Sequence, residues 1–192
     1  MAITFTLKKV IEETNEELDH SKLLGNPVFP LDFLDKAGLD EGDYFIGQVD
    51  CASLPEHDLG PKEGYLYFFI NVDNMKPTVL YTKEELGELV DDINDGFDEE
   101  FGETTCHQMK FGGGSKSFLF GEIDPDLDLG MYIDINGKVA LLQLDSLDIP
   151  ADSKLFRFLS CVTNDGFLIF VIKKDALEKC DFSHVEVIDY HS

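Results

Sequence analysis

Positive charge is scarce in this sequence of 192 residues. Fifteen lysines and arginines, of which only Arg157 is an arginine, stand against 39 aspartates and glutamates, for a net charge of -24. The lysines are scattered singly or in pairs. A field of that sign repels nucleic acid, anionic lipid and phosphorylated metabolites wherever no basic cluster reverses it. Nucleic-acid and membrane partners are therefore not expected, and the acidity either serves solubility or receives a basic protein. The four cysteines, Cys51, Cys106, Cys161 and Cys180, make no C-x-x-C pair. Without an N-terminal apolar h-region, they are expected to be reduced thiols in the cytoplasm. No apolar run approaches the roughly 18–20 residues that cross a bilayer as a helix.

What is present is ample apolar material, 43% of the residues, and a module written twice. Gln48-Val49-Asp50 is followed by Leu54-Pro55, Gly64 and the run Tyr65 to Ile70; Gln143-Leu144-Asp145 is followed by Ile149-Pro150, Gly166 and the run Phe167 to Ile172. Such self-similarity suggests a duplicated supersecondary unit whose copies bury their apolar faces. The expected organisation is one domain, 1–192, built of two repeats at about 1–105 and 106–192. The expected class is α+β, with β-dominated antiparallel sheets, an internally duplicated strand-hairpin unit and a few short helices.

Alternation of Ile3, Phe5 and Leu7 with polar neighbours predicts a strand, against a competing helix through Val10 and Ile11. Gly25, Pro27 and Pro30 predict a shaped loop over residues 21–30. Strands are predicted at Tyr44 to Val49, at Tyr65 to Asn71 as a central strand, and at Pro77 to Tyr81. Thr82 and Glu85 form a capping box before Leu86, Leu89, Val90 and Ile93, which predicts a helix ending at Asn94-Asp95-Gly96. Glu84 to Glu103 carry ten carboxylates and no basic residue. In the second half, Asn136-Gly137 predicts a type I′ hairpin between Met131 to Asp134 and Val139 to Leu144. Asn164-Asp165-Gly166 predicts another, between Leu155 to Val162 and Phe167 to Lys173; a short helix at Asp175 to Cys180 and a strand at Val185 to Ile188 follow.

Four separated segments carry a family resemblance. Ser21-Lys22-x-x-Gly25-x-Pro27 upstream of the Gln48-Val49-Asp50 strand, Gly64-Tyr65-Leu66-Tyr67-Phe68-Phe69-Ile70, Leu141-Leu142-Gln143-Leu144-Asp145-Ser146, and Phe170 to Leu177 with Asp181-Phe182-Ser183 resemble the YwqG-like bacterial family, a domain of unknown function. The resemblance implies an internally duplicated α+β fold in cytosolic bacterial proteins without an established reaction. Some relatives are similar to proteins encoded near secreted-toxin genes, which implies an immunity or antitoxin-like role. This chain departs from the pattern in having no tryptophan: Phe29-Pro30-Leu31 and Thr163-Asn164-Asp165-Gly166 stand where relatives carry Trp-Pro and Trp-Gly-Asp.

Gln48, Asp50, Gln143 and Asp145 are the candidate ligand-cleft residues, since positions two apart on a strand share a face. The alternative is that each satisfies backbone groups of the loop that follows. Glu84, Glu85, Glu88, Asp91, Asp92 and Asp95 are the candidate partner-docking residues. An EF-hand frame on Gly96 puts Ile93 and Gly102 where oxygen ligands belong, and the frame around Asp124 to Gly130 puts Ile135 at the last ligand position, so no metal site is expected. Gly112-Gly113-Gly114-Ser115-Lys116 lacks phosphate-loop spacing and reads as a connector, with a phosphate nest as the lesser alternative. Adjacent Cys106 and His107 face opposite ways on a strand, His20, His57, His184 and His191 have no zinc-ligand companions, and no cofactor motif is present. The expected function is a noncatalytic protein-binding factor of the immunity or antitoxin type. The alternative is a small-ligand-binding or hydrolytic enzyme using a cleft between the repeats.

Overall fold

The computed structural model describes residues 2–10, 21–40, 42–71, 73–90, 93, 106–113, 116–123, 134–151, 156–157, 159–160 and 166–190. In chain order the strands are β1 (Ile3–Lys9), β2 (Lys22–Leu23), β3 (Val28–Phe29), β4 (Asp43–Asp50), β5 (Tyr65–Asn71) and β6 (Lys76–Thr82). They continue with β7 (Glu88–Leu89), β8 (His107–Phe111), β9 (Phe118–Gly121), β10 (Lys138–Asp145), β11 (Phe167–Lys173) and β12 (Glu186–Tyr190). Helix α1 (Phe33–Ala37) follows β3 and helix α2 (Lys174–Glu178) follows β11, each of five residues.

This corrects the α+β expectation. Among the described residues 45% lie in strands and 14% in helical turns of any kind, so the fold is mostly β. The physical reason lies in the runs Leu66 to Ile70 and Leu168 to Ile172, which are buried on both faces. Strands of that kind take ladder partners on both edges, as β5 does with β4 and β6, and β11 with β10 and β12.

The chain forms two compact units, unit 1 comprising Met1–Thr6, Leu54–Pro61 and Lys110–Ser192, and unit 2 comprising Leu7–Ser53 and Lys62–Met109. In unit 1 the antiparallel order is β12-β11-β10-β9, followed by the start of β1, which meets β9 through Ile3↔Leu119 and Thr4↔Phe118. Its core packs Ile123, Ala140, Ile169, Val171 and Ile188. In unit 2 the order is β8-β2-β4-β5-β6, with β3 and β7 paired apart as a two-stranded sheet. Its core is aromatic: Phe29, Phe45, Tyr67 and Phe69, with Phe33, Val90 and Ile93 packed against them.

The hairpins β4–β5 and β10–β11 share their register position by position. Gln48 faces Tyr67 and Asp50 faces Tyr65, as Gln143 faces Ile169 and Asp145 faces Phe167. The ladder shifts between Phe45 and Gly47 in one and between Ala140 and Leu142 in the other, so the bulge falls at the same place. A bulge adds an unpaired residue and local twist, and here it sets which face Gln and Asp occupy.

Several local expectations are corrected. Residues 82–90 are not helical: Thr82 closes β6, its hydroxyl accepts the Glu84 N–H (3.0 Å), and Glu88–Leu89 pairs with Phe29 and Val28. The loop 21–30 contains two short strands, joined through Leu24 and Gly25 in left-handed conformations (φ 54° and 74°). Of the residues expected as a strand at 155–162, Phe156, Arg157, Leu159 and Ser160 are helical, because both edges of β11 are already taken by β10 and β12. In the turn Ile135–Lys138 only Gly137 has a positive φ (69°), which excludes type I′. The expected strand at Met131 to Ile133 and the turn residues Asn164 and Asp165 lie outside the described residues.

Candidate functional site

In unit 2, Gln48 and Asp50 end β4. Gln48 is fully buried, and its Oε1 accepts the N–H of Val28 at 2.9 Å while the Tyr67 hydroxyl donates to the Val28 carbonyl at 2.8 Å. Two side chains thus hold one peptide of β3. Burial pushes the Tyr67 phenol well above its ordinary range, keeping it a neutral donor. Asp50 accepts from the Ala52 N–H (2.9 Å) and so caps the 3-10 turn Cys51–Ser53, and its own N–H donates to Ser21 Oγ (3.0 Å).

Unit 1 repeats the aspartate part of this pattern, while its glutamine differs. Asp145 Oδ1 accepts from Leu147 N–H (2.8 Å), capping the turn Ser146–Asp148, and the Asp145 N–H donates to Ser117 Oγ (3.0 Å). The Gln143 amide donates to the Lys116 carbonyl at 2.9 Å, but its Oε1, buried like the rest of the side chain, meets no donor among the described residues. Burial raises the Asp145 carboxyl above 3.8; the Leu147 N–H opposes this, nearby Asp148 adds to it, and Lys116, whose Nζ lies 4.0 Å away, opposes it. Lys116 also stands 5.8 Å from the centroid of the Phe167 ring. Asp148 Oδ2 accepts from both Lys116 N–H (2.8 Å) and Ser117 N–H (2.7 Å). The Lys116 and Ser117 N–H groups at the end of this loop are therefore occupied by a carboxylate.

The four predicted cleft residues thus lie as one pair in each unit, and within each pair the aspartate spends an oxygen on the turn that follows it. Sequence reasoning missed the serines that receive the aspartate N–H groups. Their signal was a second match, Ser21-Lys22-Leu23-Leu24-Gly25 against Ser117-Phe118-Leu119-Phe120-Gly121, displaced by one position from the Gln and Asp spacing. Leu24 and Phe120 share a left-handed backbone (φ 54° and 49°).

Of the docking candidates, Glu84 and Glu85 are exposed. Glu88 lies on β7, its side chain outside the described set, and Asp91, Asp92 and Asp95 lie outside the described residues, as does most of both near-EF-hand stretches. Residues 87–90 are held by backbone bonds from Gly87 N–H to the Phe29 carbonyl and from Val90 N–H to the Pro27 carbonyl, both 2.9 Å. Leu31 abuts this stretch: a Cβ on Gly87 would lie 3.0 Å from Leu31 Cγ. Among the described residues no group of three or more His, Cys, Asp or Glu is arranged to hold a metal ion, and no helix is long and apolar enough to cross a membrane.

No curated protein matches the sequence. A family model described as a domain of unknown function, DUF1963, matches residues 21–95, the stretch that holds Gln48, Asp50 and the start of the acidic segment.

Proposed function

We propose that the protein is a noncatalytic binding factor of the YwqG-like bacterial type, docking a basic protein through the carboxylates that begin at Glu84, in an immunity or antitoxin-like role. The observation that carries this reading is the pinning of an acidic segment against β3: Glu84 and Glu85 project into solvent from a stretch that backbone hydrogen bonds hold in place. The net charge of -24 adds a long-range attraction for basic partners. Fixed surface carboxylates of this kind act mainly on the encounter rate and are screened by salt.

The test is association kinetics with a basic protein captured from cell extract at low ionic strength. Replacing Glu84, Glu85, Glu88, Asp91, Asp92 and Asp95 with their amides should slow association by about tenfold or more at low salt, the two rates converging as salt is added. Equal rates for the two proteins at low salt would refute the reading.

A further inference from the structure

Unit 2 holds two leucines at its surface, beside the acidic segment. Leu31 is 65% exposed and Leu34 40% exposed, and no residue of α1 is buried. Their presentation is fixed from beneath. Between them Phe33 packs against Phe29 and Tyr67, with ring centroids 5.3 and 5.7 Å apart, and its N–H closes a turn onto the Pro30 carbonyl at 3.1 Å. Asp32 is held in a left-handed conformation (φ 60°), unfavourable for a residue with a side chain and sustained only where the surroundings impose it.

The surroundings of this patch are acidic. Asp32 and Asp35 are exposed on the same stretch, and Glu84 and Glu85 precede Gly87, which abuts Leu31. Of the lysines in these two stretches, Lys83 is bonded to Glu63 at 2.5 Å and Lys36 is exposed. An apolar centre with a rim of four exposed carboxylates, against Lys36 and the Glu63-bonded Lys83, fits an occupant whose apolar residues lie along one face with cations beside them.

We infer that Leu31 and Leu34 anchor a basic amphipathic helix, whose apolar face covers them and whose lysines or arginines meet Asp32, Asp35, Glu84 and Glu85. This rests on the acidic-docking reading and adds what that reading lacks, an apolar contact that sets residence time while the carboxylates set encounter.

Two labelled peptides of lysine and leucine test it, of equal length and composition, one with its leucines on a single helical face and the other with them scattered. Wild-type protein should bind the amphipathic peptide about tenfold more tightly than the scattered one. The Leu31→Ser/Leu34→Ser variant should lose that preference at an unchanged melting temperature, because both side chains are exposed, while keeping salt-sensitive binding of both peptides. Equal binding of the two peptides by wild type, or a preference retained by the serine variant, overturns the anchor and leaves the acidic reading standing. Failure of both peptides to bind wild type at low salt overturns both.

Discussion

Gln48 and Gln143 occupy equivalent ladder positions but carry different hydrogen-bond loads, and that difference is measurable. Replacing Gln48 with Leu strands the buried Val28 N–H, a loss of about 1–3 kcal/mol. Replacing Gln143 with Leu also removes an acceptor that has no donor among the described residues, so it should cost less than the Gln48 change by about 1 kcal/mol in urea unfolding. Equal losses would mean that Gln143 Oε1 is satisfied in solution. Asp145 adds a pH signature. Its folded carboxyl titrates above the ordinary 3.8, so between those values the native state holds more protons than the unfolded chain. The favourable contribution is then complete below 3.8 and is lost as pH rises through the folded value. Asp145→Asn keeps an oxygen for the Leu147 N–H without ionising. Its stability relative to wild type should therefore improve from about pH 4 to pH 7 in parallel urea titrations, and a flat difference would show that burial does not govern this carboxyl.

At the scale of elements, steric fit around the turns separates two glycines of similar backbone. Gly64 has φ 80°, and a Cβ there would collide with the Thr82 carbonyl that closes β6; Gly137 has φ 69° and open space around it. Gly64→Ala should cost about 3 kcal/mol or more, and Gly137→Ala about 1–2 kcal/mol, measured as shifts in urea midpoint at constant m-value. The strands β4, β5, β10 and β11 were legible in the sequence because runs apolar on both faces have few ways to be buried other than as central strands, but the pairing of β10 with β11 was not, since the Asn-Gly and Asn-Asp-Gly turns offered each of them a different hairpin partner. Nor was the segment after Thr82. Its capping box and helical spacing are local signals, but Leu89 pairs with Val28, and Val90 and Ile93 pack on the aromatic cluster, so tertiary burial overrode propensity. The same limit applies to the candidate site. Spacing placed Gln48 with Asp50 and Gln143 with Asp145 on common strand faces, yet the groups they meet come from Ser21 and Val28 in unit 2 and from Lys116 and Ser117 in unit 1. Only folding brings those residues together, and the repeated serine was masked by its one-residue offset.

Charge is the property that acts across the whole molecule. With 39 acidic and 15 basic residues, even complete pairing would leave 24 carboxylates without a cationic partner, since 39 less 15 is 24. Among the described residues the ion pairs are mostly at the surface: Lys76–Asp40 at 3.3 Å, Lys83–Glu63 at 2.5 Å and Lys179–Asp175 at 3.7 Å are open to solvent on both sides. Each such pair contributes only about 0–1 kcal/mol, so screening them sacrifices little, whereas screening the surplus carboxylates relieves repulsion throughout the folded state. Raising sodium chloride from about 20 mM to about 500 mM should therefore increase the melting temperature, by roughly 2–4 °C for each kcal/mol of repulsion removed. Potassium chloride at equal ionic strength should give the same rise, because screening depends on ionic strength and not on the identity of the cation. A larger rise with one cation would indicate a specific ion site, and a fall in melting temperature would mean that the surface pairs outweigh the repulsion. The same salt range that stabilises the fold should weaken docking of a basic partner, since both effects arise from one field. Wild-type protein and the six-amide variant, measured side by side, should then differ most in association rate at the low-salt end and least in melting temperature at the high-salt end.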